Sequence, residues 1–172
     1  NTAETQISVR INLDGSGASK LSTGIGFFDH MLEQLGKHAG FDLKIVATGD
    51  LEVDTHHTIE DVGIVVGGCL AEALGDKAGV RRFASNLVPL DEALVQVALD
   101  LSGRPFIVYE VDPISEWIGT FDPQLAEEFW RAFAFAAGVT LHVRSLSGKN
   151  GHMRVLLLTF FLQLSLTELL TE

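Results

Sequence analysis

An α+β fold made of two repeated halves is predicted by three features of the sequence. Segments with apolar residues at every second position read as half-buried strands, and segments with apolar residues at every third or fourth position read as helices. Strands and helices come in groups rather than in strict alternation, which favours α+β over a doubly wound sheet. The order of elements then recurs: laying Gly40-Phe41-Asp42-Leu43 on Gly138-Val139-Thr140-Leu141 sets an offset of 98 residues and carries His30 onto Glu128. His56 likewise falls near His152, after a loop two residues shorter in the second half. A length of 172 residues fits one domain, residues 1–172, with halves at about 1–77 and 78–172 and two sheets covering a shared helical layer.

Each element has its own signature. Ile7, Val9, Ile11 and Leu13 alternate with Gln6, Ser8, Arg10 and Asn12, a half-buried strand that ends at the turn Asp14-Gly15-Ser16-Gly17. Residues 18–23 are expected to pair back on it as a hairpin. Phe27, Met31, Leu32 and Leu35 recur at helical spacing up to His38, with Gly40 as the stop. Residues 41–48 read as a strand, and Ile59, Val62, Val66, Cys69, Leu70, Ala73 and Leu74 carry a helical period closed by Gly75-Asp76. In the second half, strands are expected near 80–88, 92–101 and 105–112, a helix from about Pro123 to Ala137, and a strand over 139–146. A final helix is expected after His152. Its run from Val155 to Leu170 is apolar on nearly every face yet only 16 residues long with Gln163 and Glu168 inside, short of the ~20 residues of a membrane span. Burial on all sides in a bundle or oligomer is the expectation.

Charge narrows the function classes. With 12 basic against 23 acidic residues the chain carries a net −11, which disfavours sequence-independent nucleic-acid binding and an anionic membrane surface. Any anionic ligand must be gripped by a few placed cations. The lone Cys69 excludes an internal disulfide framework and suits a reducing compartment, and no basic-then-apolar leader precedes the first strand, so a cytoplasmic location is expected.

The segment Asp54-Thr55-His56-His57-Thr58-Ile59-Glu60-Asp61 concentrates metal ligands at the mouth of a helix. On a helix of about 3.6 residues per turn, His56 and Glu60 lie roughly 40° apart around the axis and His57 about 100° from His56, so the three share one wedge. Imidazole with carboxylate suits manganese, iron or zinc. His30 sits on an otherwise apolar helix, where core packing competes with ligation, while His152 follows the glycine-rich Ser147-Gly148-Lys149-Asn150-Gly151 on a loop suited to function. His142 fits packing within its strand, and His38 lies at a helix end that favours its positive form. Arg82 and Arg104 offer guanidinium forks for phosphate, against the alternative of solvated surface pairs.

Phe28-Asp29-His30-Met31-Leu32, Ala47-Thr48-Gly49-Asp50-Leu51, residues 54–61, Ala73-Leu74-Gly75-Asp76-Lys77, Val88-Pro89-Leu90-Asp91-Glu92-Ala93, Asp100-Leu101-Ser102-Gly103-Arg104-Pro105 and Gly148-Lys149-Asn150 together resemble imidazoleglycerol-phosphate dehydratases of histidine biosynthesis, over residues 2 to about 155. The resemblance implies a hydro-lyase that converts imidazole glycerol phosphate to imidazole acetol phosphate, with two Mn2+ per site and a homo-oligomeric shell of twenty-four subunits. It implies duplicated β-β-β-α-β-β-α halves. It implies metal ligands at His30, His56, His57, Glu60, Glu128 and His152, substrate contacts at Glu4, His30, Gln34, Arg82 and Arg104, and proton transfer by Glu4 or Glu60, with the base left open between them.

The chain departs from the family's second signature at Met153, Leu156 and Phe160, where histidine, glutamate and lysine stand in the family. A weakened second metal site is the consequence expected there. The abrupt end of the match near Val155 points to a shifted frame, an alternative end or a damaged copy. Two competing readings stay open on sequence alone: an impaired family member that keeps one metal in a structural or regulatory role, and a different metal-dependent hydrolase or lyase using His56, His57 and Glu60 on a similar scaffold.

Overall fold

The computed structural model describes residues 2–112, 116–150 and 155. In chain order, β1 (Thr5–Asn12), β2 (Ser19–Ser22), α1 (Gly26–Ala39), β3 (Asp42–Gly49) and α2 (His56–Leu74) precede β4 (Phe83–Leu90), β5 (Ala93–Asp100), β6 (Phe106–Glu110), α3 (Leu125–Ala137) and β7 (Thr140–Ser147). The class is α+β, with two mixed sheets, as expected. Within the described residues the first half runs β-β-α-β-α and the second β-β-β-α-β, so one strand, not two, follows the first helix of each half. Between β3 and α2 the polar stretch Asp50-Leu51-Glu52-Val53-Asp54 folds as a turn instead, with the Val53 amide donating to the Asp50 carbonyl at 2.8 Å. The expected final helix lies outside the described residues except for Val155, which is buried.

The first sheet has the order β1-β3-β2 and the second β4-β5-β7-β6. In the first, β1 runs antiparallel to β3 from Thr5 opposite Gly49 to Asn12 opposite Asp42, and β2 runs parallel to β3 from Ser19 opposite Leu43 to Ser22 opposite Val46. The expected hairpin of residues 18–23 on β1 is therefore corrected: β3 lies between them. The cause is local. The Asp42 carboxylate accepts from the Ser16 amide at 2.8 Å and the Ala18 amide at 3.0 Å, and the Leu43 amide donates to the Ala18 carbonyl at 2.9 Å. Gly15 makes room for this, since a Cβ there would stand 2.3 Å from the Asp42 amide nitrogen. β3 earns the central place with Leu43, Ile45 and Ala47, all buried on one face.

The second sheet repeats the pattern with one strand added. β5 pairs antiparallel and β6 parallel with the central β7, and β4 extends the sheet by pairing antiparallel with β5.

The helices fill the space against the sheets. Helix α1 buries Phe28, Met31, Leu32 and Leu35 at helical spacing, and Gly40 ends it in the left-handed region at φ 73°. Phe28 meets Phe129 of α3 edge-on, with ring centroids 5.3 Å apart, and Phe129 in turn meets Trp130 at 4.7 Å. Helices α2 and α3 approach most closely, and glycine permits it. A Cβ on Gly63 would stand 2.7 Å from the Phe129 carbonyl oxygen, and one on Gly67 would stand 2.5 Å from that of Phe133. The contacts advance together along both helices, which therefore run parallel. Among the described residues no helix is long and apolar enough to cross a membrane.

The helix seam and the Asp42 tether each make a testable prediction. Gly67→Ala forces a methyl against a backbone carbonyl that cannot rotate away, so it should destabilise by about 1–3 kcal/mol. Gly68→Ala, with nothing within 4 Å of the new methyl, should instead stabilise by up to about 1 kcal/mol through helix propensity. Urea unfolding of both variants checks the pair, and equal effects would contradict a glycine-dependent seam.

The second prediction concerns acid. The Ser16 amide above all, and then the Ala18 amide, hold the Asp42 carboxyl below the usual carboxylate range. Because the folded value is depressed, this stabilisation is present above the usual range and is lost as pH falls through the lowered value. Unfolding midpoints followed from about pH 5 to pH 2 should drop more steeply for the native chain than for Asp42→Asn; parallel curves would contradict the tether.

Candidate active site

The first turn of α2 begins where the Asp54 carboxylate accepts from the His56 amide at 2.9 Å, an Asx arrangement that satisfies one of the helix's orphan donors. From there the helical period places His56 Nε2 3.7 Å from Glu60 Oε2, with both side chains 45% exposed. The shared wedge read from spacing is present for this pair. His57 turns the other way: its Nδ1 lies 3.2 Å from Asp50 Oδ2 at the end of β3, and its ring centroid is 6.1 Å from that of His56. The hydrogen bond with Asp50, followed by the nearby charges of Asp50, Asp54 and Glu4, raises the His57 pKa. With Nδ1 engaged, Nε2 is the ring atom left for a cation, the arrangement by which a carboxylate commonly orients a metal-binding imidazole.

The N-terminal segment is tied to the same helix. Thr5 Oγ1 donates to the Asp61 carboxylate, and Thr2 Oγ1 donates to it at 3.3 Å. Glu4, held between these two threonines, thereby comes near enough for its charge to act on His57.

Glu60 and Glu128 border one groove between α2 and α3, together with Ile64, Arg131, Ala132 and Phe135. This juxtaposition depends on the glycine seam, because Glu60 lies one turn before Gly63 and Glu128 one residue before Phe129. His30 lies elsewhere, beside a separate open groove with Lys20, Asp29 and Glu33. Gln34 Oε1 accepts from His38 Nε2 at 3.0 Å. His152 lies outside the described residues, as do Met153, Leu156 and Phe160.

Arg82 and Arg104 converge on one carboxylate. Arg82 Nε donates to Asp100 Oδ1 at 2.7 Å and its Nη2 to Oδ2 at 3.2 Å, while Arg104 Nη2 is 3.7 Å from Oδ2. The Arg82 hydrogen bond chiefly holds the Asp100 carboxyl below its usual range. Arg82 also sits 4.7 Å over the Phe83 ring. The two guanidinium groups thus form one cationic corner of the second sheet, 75% exposed at Arg104, where a phosphate could be met by two forks.

Sequence reading did not single out Asp50, Asp61 or Asp100 as site residues. All three carried a signal, since they stand in stretches that bear the family resemblance: Asp50 in Ala47-Thr48-Gly49-Asp50-Leu51, Asp61 at the end of residues 54–61, and Asp100 before Leu101-Ser102-Gly103-Arg104.

Nitrogen and carboxylate donors suit a borderline or hard divalent metal, and the solvent-open His56–Glu60 pair fits it as part of a site. Among the described residues of one chain, no group of three or more His, Cys, Asp or Glu side chains is placed to hold a metal.

A family model described as imidazoleglycerol-phosphate dehydratase matches residues 23–158. The imidazoleglycerol-phosphate dehydratase of Acetivibrio thermocellus is 57% identical over 151 residues, covering 88% of this chain and 77% of that protein. That of Albidiferax ferrireducens is 59% identical over 152 residues, covering 88% and 74%. Among solved structures, the Staphylococcus aureus enzyme superposes with a TM-score of 0.89 at 37% identity, covering 96% of this chain and 94% of that one. The Pyrococcus furiosus protein, solved in complex with (S)-C348, gives 0.87 at 34% identity, covering 100% and 92%. By this match, and by relatives 57% and 59% identical over the aligned residues, the chain belongs to the imidazoleglycerol-phosphate dehydratase family.

Proposed function

We propose that this chain removes water from imidazole glycerol phosphate to give imidazole acetol phosphate in histidine biosynthesis, as a manganese-dependent hydro-lyase working in the cytoplasm as a homo-oligomer. The observation that carries this reading is the His56–Glu60 pair, two metal-type donors 3.7 Å apart on one face of α2, inside the stretch that matches the family. His30, His57, Glu128 and His152 complete the proposed ligand set. In the proposed assembly, the family's shell of twenty-four, sites lie at subunit interfaces and neighbouring copies supply part of this ligand set. The repeated sheet pattern supports one domain of two duplicated halves, divided near residue 77.

A divalent metal at such a site supplies a Lewis acid that polarises the imidazole ring of the substrate. The rest is work for the chain's own groups. Arg82 and Arg104 bind the phosphate, with Asp100 fixing the Arg82 fork so that little side-chain freedom is lost on binding. Asp50 orients the His57 ring. His30 and Gln34, one turn apart on α1, serve as substrate contacts. In the reaction a carbon-bound proton and a hydroxyl leave together as water, and Glu4 and Glu60 are the carboxylates available to move the proton. Glu60 is committed as a ligand, so Glu4 is the freer of the two.

Turnover of imidazole glycerol phosphate by the full chain with added Mn2+ tests the reading. Product should form, and His56→Ala or Glu60→Gln should lower kcat/KM by at least on the order of 100-fold, because losing the Lewis acid removes several kcal/mol of stabilisation. A protein that binds Mn2+ yet yields no product would instead be the impaired member and would overturn the activity.

Asp50→Asn should weaken Mn2+ binding by about 10–100-fold with helical content unchanged, measured by calorimetric titration and circular dichroism. Unaltered affinity would remove Asp50 from the metal site.

A further inference from the structure

The outer face of the first sheet carries a charge opposite to that of the molecule. Against a net −11, Arg10, Lys44 and Lys20 stand side by side across β1, β3 and β2, with Arg10 paired in register to Lys44 and Lys44 to Lys20. All three are exposed, and among the described residues none forms an ion pair. The rest of this face is Gln6, Ser8, Asn12, Ser22, Val46 and Thr48. The nearby carboxylates are Asp42, whose Oδ1 already accepts from the Ser16 and Ala18 amides, and, sharing a groove with Lys20, Glu33 and Asp29, the latter accepting from the Thr23 amide and hydroxyl.

Like charges placed directly opposite in a ladder disfavour the sheet that holds them, so an unscreened row of three is a liability to the apo protein. Neighbouring strands lie about 4.8 Å apart, which sets the three head groups along a line of roughly 10 Å. Arg10, Asn12, Ser19, Lys20 and Lys44 line a shallow groove there. A compact anion would meet one or two of these cations; a linear one with repeating charge meets all three.

We propose that this row binds a short oligophosphate, at a site separate from the Arg82–Arg104 corner on the other sheet. The hydroxyls of Ser8 and Ser22 flank the row and serve as neutral donors to its oxygens. The site does not rest on the dehydratase reading: Lys20 also lines the groove of His30, but no residue of the row has a role in the proposed reaction.

Thermal unfolding of the full chain with inorganic tripolyphosphate as the probe tests the proposal. Tripolyphosphate should raise the Tm by about 2 °C or more beyond sodium chloride of matched ionic strength, and the rise should saturate. Lys44→Gln should raise the Tm in anion-free buffer, by removing the middle charge of the row, and should lose the anion-specific rise. Lys20→Gln, at the sheet edge, should also lose most of it, which guards against a folding defect peculiar to Lys44. The double variant Arg82→Gln with Arg104→Gln should keep the rise. Comparison between variants cancels any stripping of divalent metal by the anion. A rise no larger than that of matched salt, a full rise in Lys44→Gln and Lys20→Gln, or a rise lost only in the Arg82/Arg104 variant would each overturn the proposal.

Discussion

The parallel contact of α2 with α3 at Gly63 and Gly67 is the constraint on which the rest of the structure depends. At each glycine a helix backbone meets the carbonyl edge of the other helix, with no space for a methyl group. Because the helices run parallel in register, everything one turn upstream of the seam is brought together as well, and there stand Glu60 and Glu128. The same seam holds the two sheets in one core, since α2 packs on β1 while α3 joins β6 and, through Phe129, the α1 residue Phe28. Close packing of this kind tolerates little displacement, so the proposed ligand positions on α2 inherit the rigidity of the core beneath them.

Around this frame, carboxylates act mainly as orienting groups. Asp50 engages His57, Asp61 gathers Thr2 and Thr5, Asp100 brackets two arginines, and Asp42 captures the turn before β2. The acidity of the chain is thus partly structural: several of its acidic residues are spent on fixing imidazole, hydroxyl, guanidinium or amide groups. Residues that would meet an anionic substrate remain few, and their placement is correspondingly specific.

The sequence made local order legible and long-range pairing much less so. The helical faces of α1 and α2 were readable because Met31, Leu32 and Leu35, and Ile59, Val62, Val66 and Leu70, repeat at 3.6-residue spacing and are buried, although the buried aromatic of α1 is Phe28 and not the expected Phe27, which is only partly buried. His56 and Glu60 were readable for the same geometric reason. The partner of β2 was not, because parallel pairing with β3 leaves no turn signature, and the deciding contact is Asp42 reaching back to Ser16. The joining of Arg82 to Arg104 through Asp100 was equally hidden, since it depends on the register of β4 against β5, which places Phe83 opposite Asp100. Glu128 could be matched to His30 by the internal offset, yet its meeting with Glu60 is a product of helix packing that no spacing along the chain reveals.

One chain presents the His56–Glu60 pair on a rigid helix, and in the proposed enzyme donors of a second copy close a metal site around it. Anomalous X-ray scattering at the manganese edge, from crystals of the assembled protein, locates such a metal directly. A peak between His56 and Glu60 of one copy, completed by donors of a neighbouring copy, is the predicted result; manganese bound only away from that pair, or closed within a single chain, would contradict it.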